Sequence, residues 1–289
     1  MIIEYCDELY PERLREIENP PSRLYAIGNI EILNQLGIAV VGSRTNTQYG
    51  EKMCKMFTKE LIEYNLNIIS GLAVGIDSIA HKTCLKNGGK TIAVLPCGLK
   101  NIYPKCNIPL AHEILENDGV LLSEYENDVE ADSNKFRERN RIVAGLSIGT
   151  LVVEAGIRSG TSITARNTML QGKPVFSIPS NLDNKKGKTT NDIIKNGGHL
   201  VTSVEDIIEK YQNIQFKKRK IKEKNIYLDI PQELLDVYKV IDYIPKDINE
   251  VSRKTGLSIN EVNYKIMMLQ LENKIQELPG QIFIRKKDE

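Results

Sequence analysis

The sequence has no tryptophan, only three histidines and only five cysteines in 289 residues. No two cysteines have the C-x-x-C spacing of zinc or redox sites, so we expect reduced thiols. The low histidine count also argues against a histidine-built metal site. No apolar run approaches the roughly 18 residues of a membrane-spanning helix, and the acidic N-terminus lacks an apolar signal region. These absences predict a cytoplasmic protein without membrane contact.

Charge of one sign is also lacking, because 39 lysines and arginines stand against 38 acidic residues, a formal net charge of +1. No overall field therefore draws the protein towards nucleic acid or a membrane, and any anion site must be local. The hydrophobic share of 41% excludes a chain too polar to form a core. The length suits one large domain together with a smaller one.

Six short apolar runs in the middle of the chain predict strands that are buried on both faces, as in a parallel sheet. The runs lie at residues 38–41, 66–69, 91–95, 120–122, 150–153 and 174–178. Amphipathic segments between them, such as residues 50–64 and 77–87, predict helices. This repetition indicates an α/β fold with a doubly wound sheet, whose ligands bind beyond the carboxyl ends of the strands.

The two ends of the chain have different patterns. We interpret residues 1–35 as a short N-terminal extension and residues 36–210 as the sheet domain. Residues 211–227 carry six positive charges and one negative charge and are interpreted as a basic linker. Residues 228–289 predict three helices, over residues 232–244, over residues 248–255 with Gly256 ending the helix, and from the cap Ser258 to about residue 272. A predicted hairpin follows, and the whole pattern is typical of a small winged helix-turn-helix domain.

The turns after the first two predicted strands contain small and polar residues. Val41-Gly42-Ser43-Arg44 offers close backbone approach, a hydroxyl and a guanidinium suited to phosphate. In the loop from Ser70 to His81, Asp77 is predicted to be the N-cap of the next helix. His81 lies on the same helix face and could bond to Asp77. We favour a structural cap pair here over a metal or catalytic pair.

Common nucleotide-binding motifs are absent from this sequence or do not fit its predicted strands and helices. No G-x-G-x-x-G follows the first strand, which argues against a nicotinamide enzyme. Gly89-Lys90-Thr91 precedes a strand, whereas the lysine of a P-loop opens a helix after one. The string from Gly187 to Thr190 has Leu182 where the first glycine of a P-loop belongs. The sequence therefore does not predict an ATPase.

The strongest local signal is the segment from Lys135 to Lys173, which carries seven cations and two acids. Its string Phe136-Arg137-Glu138-Arg139-Asn140-Arg141 combines phosphate-binding forks, an amide and an aromatic ring. Glycines and hydroxyl residues from Ser159 to Thr164 predict a cradle of backbone N–H groups at a strand-to-helix turn. Because two acids cannot neutralise seven cations, we favour an anion site over a solvated helix face.

Several motifs in register resemble the DNA-processing protein A family, also called DprA or Smf. The similarity spans about residues 9–205. It includes Tyr10-Pro11, Asn19-Pro20-Pro21, Val41 to Arg44, Ser70 to His81, Gly88 to Leu95, Gly98, Tyr103-Pro104, Ser123-Glu124, Arg139-Asn140-Arg141, Gly145-Leu146-Ser147, Glu154-Ala155 and Ser159-Gly160-Thr161. Several motifs in order are far more specific than any one of them.

The resemblance implies an extended Rossmann-like fold without known catalysis, in a homodimer that binds single-stranded DNA. It further implies delivery of that DNA to the RecA recombinase during natural transformation. The sequence departs from the family pattern in three places. Arg137 stands where proline is common, Pro179-Ser180 replaces the usual Pro-Gly and precedes the lysine-rich residues 181–188, and the N-terminal helical domain has shrunk to roughly 35 residues.

From the residues and the resemblance together, we expect an interface for single-stranded DNA. Phosphates would be neutralised by Arg44, Lys105, Arg137, Arg139 and Arg141. Phe136 would stack a base. Backbone, amide or hydroxyl donors would come from Gly42, Ser43, Gly71, Asn140, Ser159, Gly160, Thr161, Ser162 and Thr164. We expect no catalytic residue, no metal and no cofactor.

Two other functions are weighed against this interpretation. Similar sheets host nucleotide hydrolases of the phosphoribohydrolase type, whose Gly-Gly-x-Gly-Thr turn and nearby glutamate are partly matched by Ser159-Gly160-Thr161 and Glu154. A transcription factor that reads duplex DNA through its tail is disfavoured. Residues 228–289 hold nine lysines and arginines against eleven acids, which is the wrong sign for gripping DNA. We favour a protein-contact or dimer-supporting role for the tail.

Overall fold

The structure is a computed structural model that describes residues 1–156, 160–219, 230–242 and 245–286. The chain divides into two compact units, Met1–Lys220 and Ile221–Glu289. Within the predicted linker, the described residues up to 219 contact the first unit. Phe216 packs beside Tyr211 on its core, and the backbone N–H of Arg219 donates to the carbonyl oxygen of Glu63. Residues 220–227 lie outside the described part.

Nine strands form one sheet in the described part of the first unit. They are β1 (Ile2–Glu4), β2 (Arg23–Gly28), β3 (Gly37–Val41), β4 (Asn67–Ser70), β5 (Thr91–Leu95), β6 (Val120–Ser123), β7 (Gly149–Val152), β8 (Val175–Ser177) and β9 (His199–Leu200). The six predicted strands correspond to β3–β8. These strands are buried along their whole length, because helices cover both faces of the sheet.

The helices of the first unit are α1 (Glu12–Arg15), α2 (Gln48–Glu63), α3 (Ile76–Lys86), α4 (Ile108–Glu116), α5 (Ser133–Leu146), α6 (Thr161–Leu170), α7 (Lys188–Lys195) and α8 (Glu205–Ile208). Apolar residues of α2 and α3 pack with Ile38 and Val40 of β3. Residues of α1, α5 and α6 pack with Ala39 and Val41. Because side chains alternate along a strand, these two cores lie on opposite faces of the sheet.

The strand order is β1-β2-β6-β5-β4-β3-β7-β8-β9. From β3 the chain winds outwards through β4, β5 and β6, then returns to the other side of β3 and continues through β7, β8 and β9. The pairs from β6 to β9 are parallel. The order therefore reverses between β3 and β7, and in such a sheet ligands bind in the crevice outside the carboxyl ends of those strands.

The predicted N-terminal extension supplies the two strands at one edge of the sheet. β1 pairs with β2, and β2 pairs with β6, both antiparallel. Tyr10 is fully buried and its hydroxyl donates to the carbonyl oxygen of Pro21 at 2.7 Å. Short strands with mixed polarity carry little sequence signal, which is why these two were not predicted.

The second unit has the predicted winged helix-turn-helix pattern. A 3₁₀ turn (Gln232–Leu234) leads into α9 (Leu235–Val240), followed by β10 (Lys246–Asp247), α10 (Ile248–Thr255), α11 (Ile259–Leu271), β11 (Ile275–Leu278) and β12 (Ile282–Arg285). Gly256 ends α10 with φ of 74°, and Ser258 begins α11 with a capping box to Glu261. The helix predicted from residue 232 ends earlier than expected, and Tyr243 and Ile244 lie outside the described part.

Candidate nucleic-acid interface

A cavity of about 870 Å³ lies at the crevice between the carboxyl ends of β3 and β7. Twelve of the predicted site residues line it: Gly42, Ser43, Arg44, Gly71, Phe136, Arg137, Arg139, Asn140, Gly160, Thr161, Ser162 and Thr164. They come from the turn after β3, the turn after β4, helix α5 and the start of α6. The fold thus brings together segments more than a hundred residues apart in the sequence.

Close packing of two turns shapes the cavity wall after β3. The N–H of Ile76 donates to the carbonyl oxygen of Ser43 at 3.1 Å. A Cβ at Gly42 would come within 2.6 Å of the Ile76 side chain. Gly75 has φ of +83°, and a Cβ there would lie 2.3 Å from the Ser43 oxygen. Only glycines allow this approach, which leaves Arg44 exposed at the end of the turn.

Arg44 and Phe136 form a stacked pair across the cavity. The guanidinium carbon of Arg44 lies 4.8 Å from the centre of the Phe136 ring. The same ring meets Tyr103 edge-on, with 5.6 Å between ring centres. Phe136 is half-buried and Tyr103 is 46% exposed. This cluster puts a cation and two aromatic rings beside one another, as single-strand binding requires.

The start of α6 supplies hydroxyl and backbone groups to the opposite wall. Thr161 is the first residue of α6, and its hydroxyl donates to the carbonyl oxygen of Gly42 at 3.1 Å. The Asn140 amide donates to the carbonyl oxygen of Gly160 at 3.3 Å. Thr164 is buried, whereas Ser162 is half-buried. The positive end of the α6 dipole faces the same cavity and favours an anion there.

Arg139 lies beneath the cavity and is only 5% exposed. Its guanidinium donates to the carbonyl oxygens of Gly71 (2.7 Å) and Val94. A Cβ at Gly71 would collide with this guanidinium, so the glycine makes room for the arginine. Burial lowers the pKa of Arg139 to about 10, against the opposing effect of Asp77. Arg139 therefore stays charged at neutral pH, with Nη1 bonded to the backbone and Nε bonded to the side-chain oxygen of Asn140 at 3.1 Å.

Asp77 and His81 differ from their predicted arrangement. The N-cap of α3 is Gly75, and the Asp77 carboxylate instead accepts from the N–H groups of Gly71 (3.1 Å) and Ala73 (3.4 Å). His81 bonds through Nδ1 to the Thr91 hydroxyl at 2.7 Å. Burial lowers the pKa of His81 to about 3, so its imidazole is neutral. The prediction that Asp77 caps the helix and pairs with His81 was wrong, because Asp77 accepts from the preceding loop while His81 bonds to Thr91 at the start of β5.

Two predicted site residues do not line the cavity, and a third is not described by the structure. Arg141 forms a two-pronged ion pair with Glu124, with N–O distances of 2.5 and 2.8 Å. Lys105 is exposed but does not line the cavity. Ser159 lies outside the described residues. Arg141 lies one helical turn after Arg137, so its ion pair with Glu124, and not the helical period, accounts for its absence from the cavity wall.

Tyr103 and Lys186 are cavity residues that were not among the predicted site residues. Tyr103 was noted only as part of a motif, and Lys186 only as part of a lysine-rich stretch. Both line the cavity, and the Lys186 ammonium donates to the carbonyl oxygen of Thr45. The departure of residues 181–188 from the family pattern was the available signal for Lys186.

The charge around the cavity is positive. Asp77 is buried next to Arg139, and the exposed Asp132 carboxylate pairs with Lys135 while capping α5. Arg44, Arg137 and Lys186 line the cavity. Among the described residues, none of these three cations has a carboxylate within 4.0 Å. Three uncompensated cations near backbone donors make a local anion site in a nearly neutral chain.

Glu154, the residue a hydrolase would need, is 1% exposed. Its carboxylate accepts from the N–H of Thr47 at 2.8 Å and from the Thr47 hydroxyl at 2.7 Å, at the start of α2. It does not line the cavity. A group that attacks a substrate or transfers a proton must reach the reacting atoms, and this carboxylate instead positions a helix.

The part of the chain that the structure describes contains no cluster of three or more potential metal-binding side chains. All five cysteines are free; Cys6 and Cys106 are exposed, and the others are buried. In the same residues, no helix combines the length and apolarity needed to cross a membrane.

Comparison with known proteins gives consistent matches. The family model for DNA recombination-mediator protein A matches residues 1–212. Protein Smf of Escherichia coli K12 is 36% identical over 290 residues, covering 96% of this chain and 76% of that protein. The crystal structure of DNA processing protein A from Streptococcus pneumoniae has 39% identity and a TM-score of 0.70, covering 75% of each chain.

A second solved structure is DNA processing protein A from Helicobacter pylori, which was studied for its single-stranded DNA binding mode. It has 31% identity and a TM-score of 0.65, covering 73% of this chain and 94% of that one. The same fold at this level of identity agrees with the doubly wound sheet described above.

Proposed function

The chain belongs to the DNA recombination-mediator protein A family, and on that premise we propose that its crevice binds single-stranded DNA without reacting with it. The observation that carries the proposal is the cluster of uncompensated cations, Arg44, Arg137 and Lys186, around a cavity that also holds the Phe136 ring. Phosphates supply the negative charge that neutralises these cations, and an unpaired base can stack its face on the Phe136 ring.

The stacked pair suggests how a base enters. On the ring face that Arg44 covers, a base can stack on Phe136 only when the guanidinium moves aside. The guanidinium is then free to bind a phosphate, so Arg44 binds the phosphate of a nucleotide while Phe136 stacks on its base. Arg139 is bonded through Nη1 to two backbone carbonyl oxygens and through Nε to the side-chain oxygen of Asn140. Its role in this proposal is to hold the turn after β4 in place.

Fluorescence anisotropy with labelled oligonucleotides tests the proposal. Single-stranded and duplex DNA of about 20 nucleotides are compared at about 50 and 200 mM salt. We expect preference for the single strand, little dependence on base sequence and a steep loss of affinity at the higher salt. Equal affinity for both forms, or binding that does not respond to salt, would contradict the proposal.

The hydrolase alternative is disfavoured by the position of Glu154, which is buried and bonded at the start of α2. Incubation with nucleoside monophosphates, followed by chromatography for free base, tests it directly. Base release that is abolished by Glu154→Gln would establish a hydrolase and overturn the proposed absence of catalysis.

The family membership also supports a cytoplasmic homodimer that delivers the bound strand to the RecA recombinase during natural transformation. Light scattering measures the number of chains in solution. Recombinase loading is measured as RecA-dependent strand exchange on DNA already coated by a single-strand-binding protein. We expect a particle of two chains and faster exchange when the protein is added. A monomer, or exchange at an unchanged rate, would contradict these two parts of the proposal.

A further inference from the structure

The loop between β8 and α7, residues 180–187, is held in a defined shape at the edge of the cavity. The Asn184 amide donates to the Ser180 hydroxyl at 2.9 Å and to Glu154 at 3.4 Å. Its carbonyl side-chain oxygen accepts from the N–H of Lys186 at 3.0 Å. A Cβ at Gly187 would lie 2.0 Å from the Ser180 hydroxyl oxygen. The loop is therefore closed upon itself and tied to Glu154, just after β7.

The outer surface of this loop is basic. Lys185 is exposed within it, and Lys188 is exposed at the first position of α7. Lys186 reaches the cavity through its bond to Thr45. No carboxylate among the described residues lies within 4.0 Å of these three lysines. Asp183 is the acidic residue within the loop, so the local charge remains positive.

Exposed apolar groups accompany these lysines. Leu182 is 96% exposed in the loop. Tyr49, in the first turn of α2, is 41% exposed, and its hydroxyl donates to the carbonyl oxygen of Pro179 at 3.0 Å. An isolated exposed leucine needs no explanation. Together, the Tyr49 ring, the Leu182 side chain and lysines without carboxylate partners in the described chain combine stacking with positive charge, which is how proteins bind single-stranded nucleic acid.

We propose that Tyr49, Leu182, Lys185 and Lys188 form an extension surface that binds the nucleotides leaving the cavity. Lys186 connects the two parts, because it belongs to the loop and also lines the cavity. The lysines neutralise phosphates, and Tyr49 offers a face to a base. The inference rests on the proposed binding of single-stranded DNA and adds the direction in which the strand continues, over the start of α2 and the loop after β8.

The test compares oligothymidylates of about 5 and about 20 nucleotides, since only the longer strand can occupy both parts. The variant is Lys185→Gln/Lys188→Gln, which keeps Lys186 because that residue also lines the cavity. The matched control is Lys82→Gln/Lys86→Gln. Both control lysines are exposed on α3. They lie towards its C-terminal end, and therefore near the amino ends of the strands, whereas the cavity lies at the carboxyl ends.

For the longer strand, we expect the loop variant to lose about tenfold to thirtyfold in affinity at about 0.1 M salt, with the salt slope reduced by about 1.4. The short strand should bind as it does to the unaltered protein, and the control should lose far less with either strand. Tyr49→Ala should also weaken only the longer strand, while Tyr49→Phe should retain most of the affinity because the ring remains.

Three results would overturn the extension surface. The loop variant and the control could bind both strands equally well, or the loop variant could lose both strands in equal proportion. The third is that the loop variant keeps its affinity for DNA but no longer binds an acidic protein that the unaltered chain binds. In each case the unaltered protein still binds DNA, so the proposed function stands. Failure of the unaltered protein to bind either strand would instead contradict the proposed function itself.

Discussion

Helix α11 has the position of the DNA-reading helix of a helix-turn-helix fold, but its surface differs from that of the crevice in the first unit. The crevice has Arg44, Arg137 and Lys186 without carboxylate partners among the described residues. Helix α11 instead presents Tyr264, Met267 and Leu271, which are 56%, 52% and 73% exposed. A winged helix-turn-helix shape alone therefore does not indicate a phosphate-binding surface.

Four basic residues of the second unit are bonded to groups of that unit. Lys246 pairs with Asp242, Lys254 with Glu250 and Lys265 with Asp236. Arg285, 7% exposed, donates to the carbonyl oxygens of Ile241 (3.0 Å) and Tyr238 (2.7 Å). Arg139 is used in the same way in the first unit. The two units differ in their remaining charge. In the described part, cations without carboxylate partners line the cavity of the first unit, while the second unit has a net negative charge.

The largest expected effect separates buried from exposed arginines within α5. Arg139→Met leaves two buried carbonyl oxygens without their donor and removes the cation beside Asp77, so we expect a loss of about 3–5 kcal/mol in the free energy of unfolding. Arg137→Met, at an exposed position, should change it by less than about 0.5 kcal/mol. Urea denaturation measures both. An Arg139→Met protein of normal stability but weak DNA binding would place this arginine in the interface.

Removing one exposed arginine from each unit tests the comparison directly. Arg44→Ala should weaken single-strand binding by roughly 10- to 150-fold, because a charge-assisted contact is worth about 1.5–3 kcal/mol. The salt slope should fall by about 0.7. Arg253→Ala removes the same charge from an exposed position of α10 and should have no effect. If the two variants bind alike, with unchanged circular dichroism, Arg44 is not in the site.

Two aromatic residues, the half-buried Phe136 and the exposed Tyr264, provide a second pair. Phe136→Ala should lose roughly 5- to 150-fold in affinity if the ring stacks a base, at about 1–3 kcal/mol per base. Phe136→Tyr should keep most of that affinity, and the salt slope should barely change. Tyr264→Ala in α11 is the matched control without expected loss. A large fall in melting temperature for Phe136→Ala, with proportionate loss of binding, would show that the ring is structural.

The smallest effect is expected from removal of the second unit. A chain that ends after residue 227 should bind single-stranded DNA within about twofold of the full chain, since no cavity phosphate contact is lost. A chain that ends after residue 210 should be less stable, because it lacks Tyr211 and Phe216, which pack on the core of the first unit. A folded 1–227 chain without DNA binding would place part of the interface in the second unit.

Local patterns predicted much of the fold and half of the residues in the cavity wall. Apolar runs marked β3–β8, and Gly256 and Ser258 marked the end of α10 and the start of α11. The turn motifs were found where strands end, which is also where a doubly wound sheet binds ligands. These features depend on near neighbours in the chain, so they can be read without knowing the tertiary structure.

By itself, the sequence determined the α/β class, the winged-helix tail and the chemical character of the site, because periodicity, caps and residue types are local properties. Only the tertiary structure decided which cations remain available. Arg141 is paired with Glu124 and Arg139 is bonded to Gly71 and Val94, while Lys186 reaches the cavity from a distant loop. Partners at these separations are chosen by strand order and packing, which no local pattern contains.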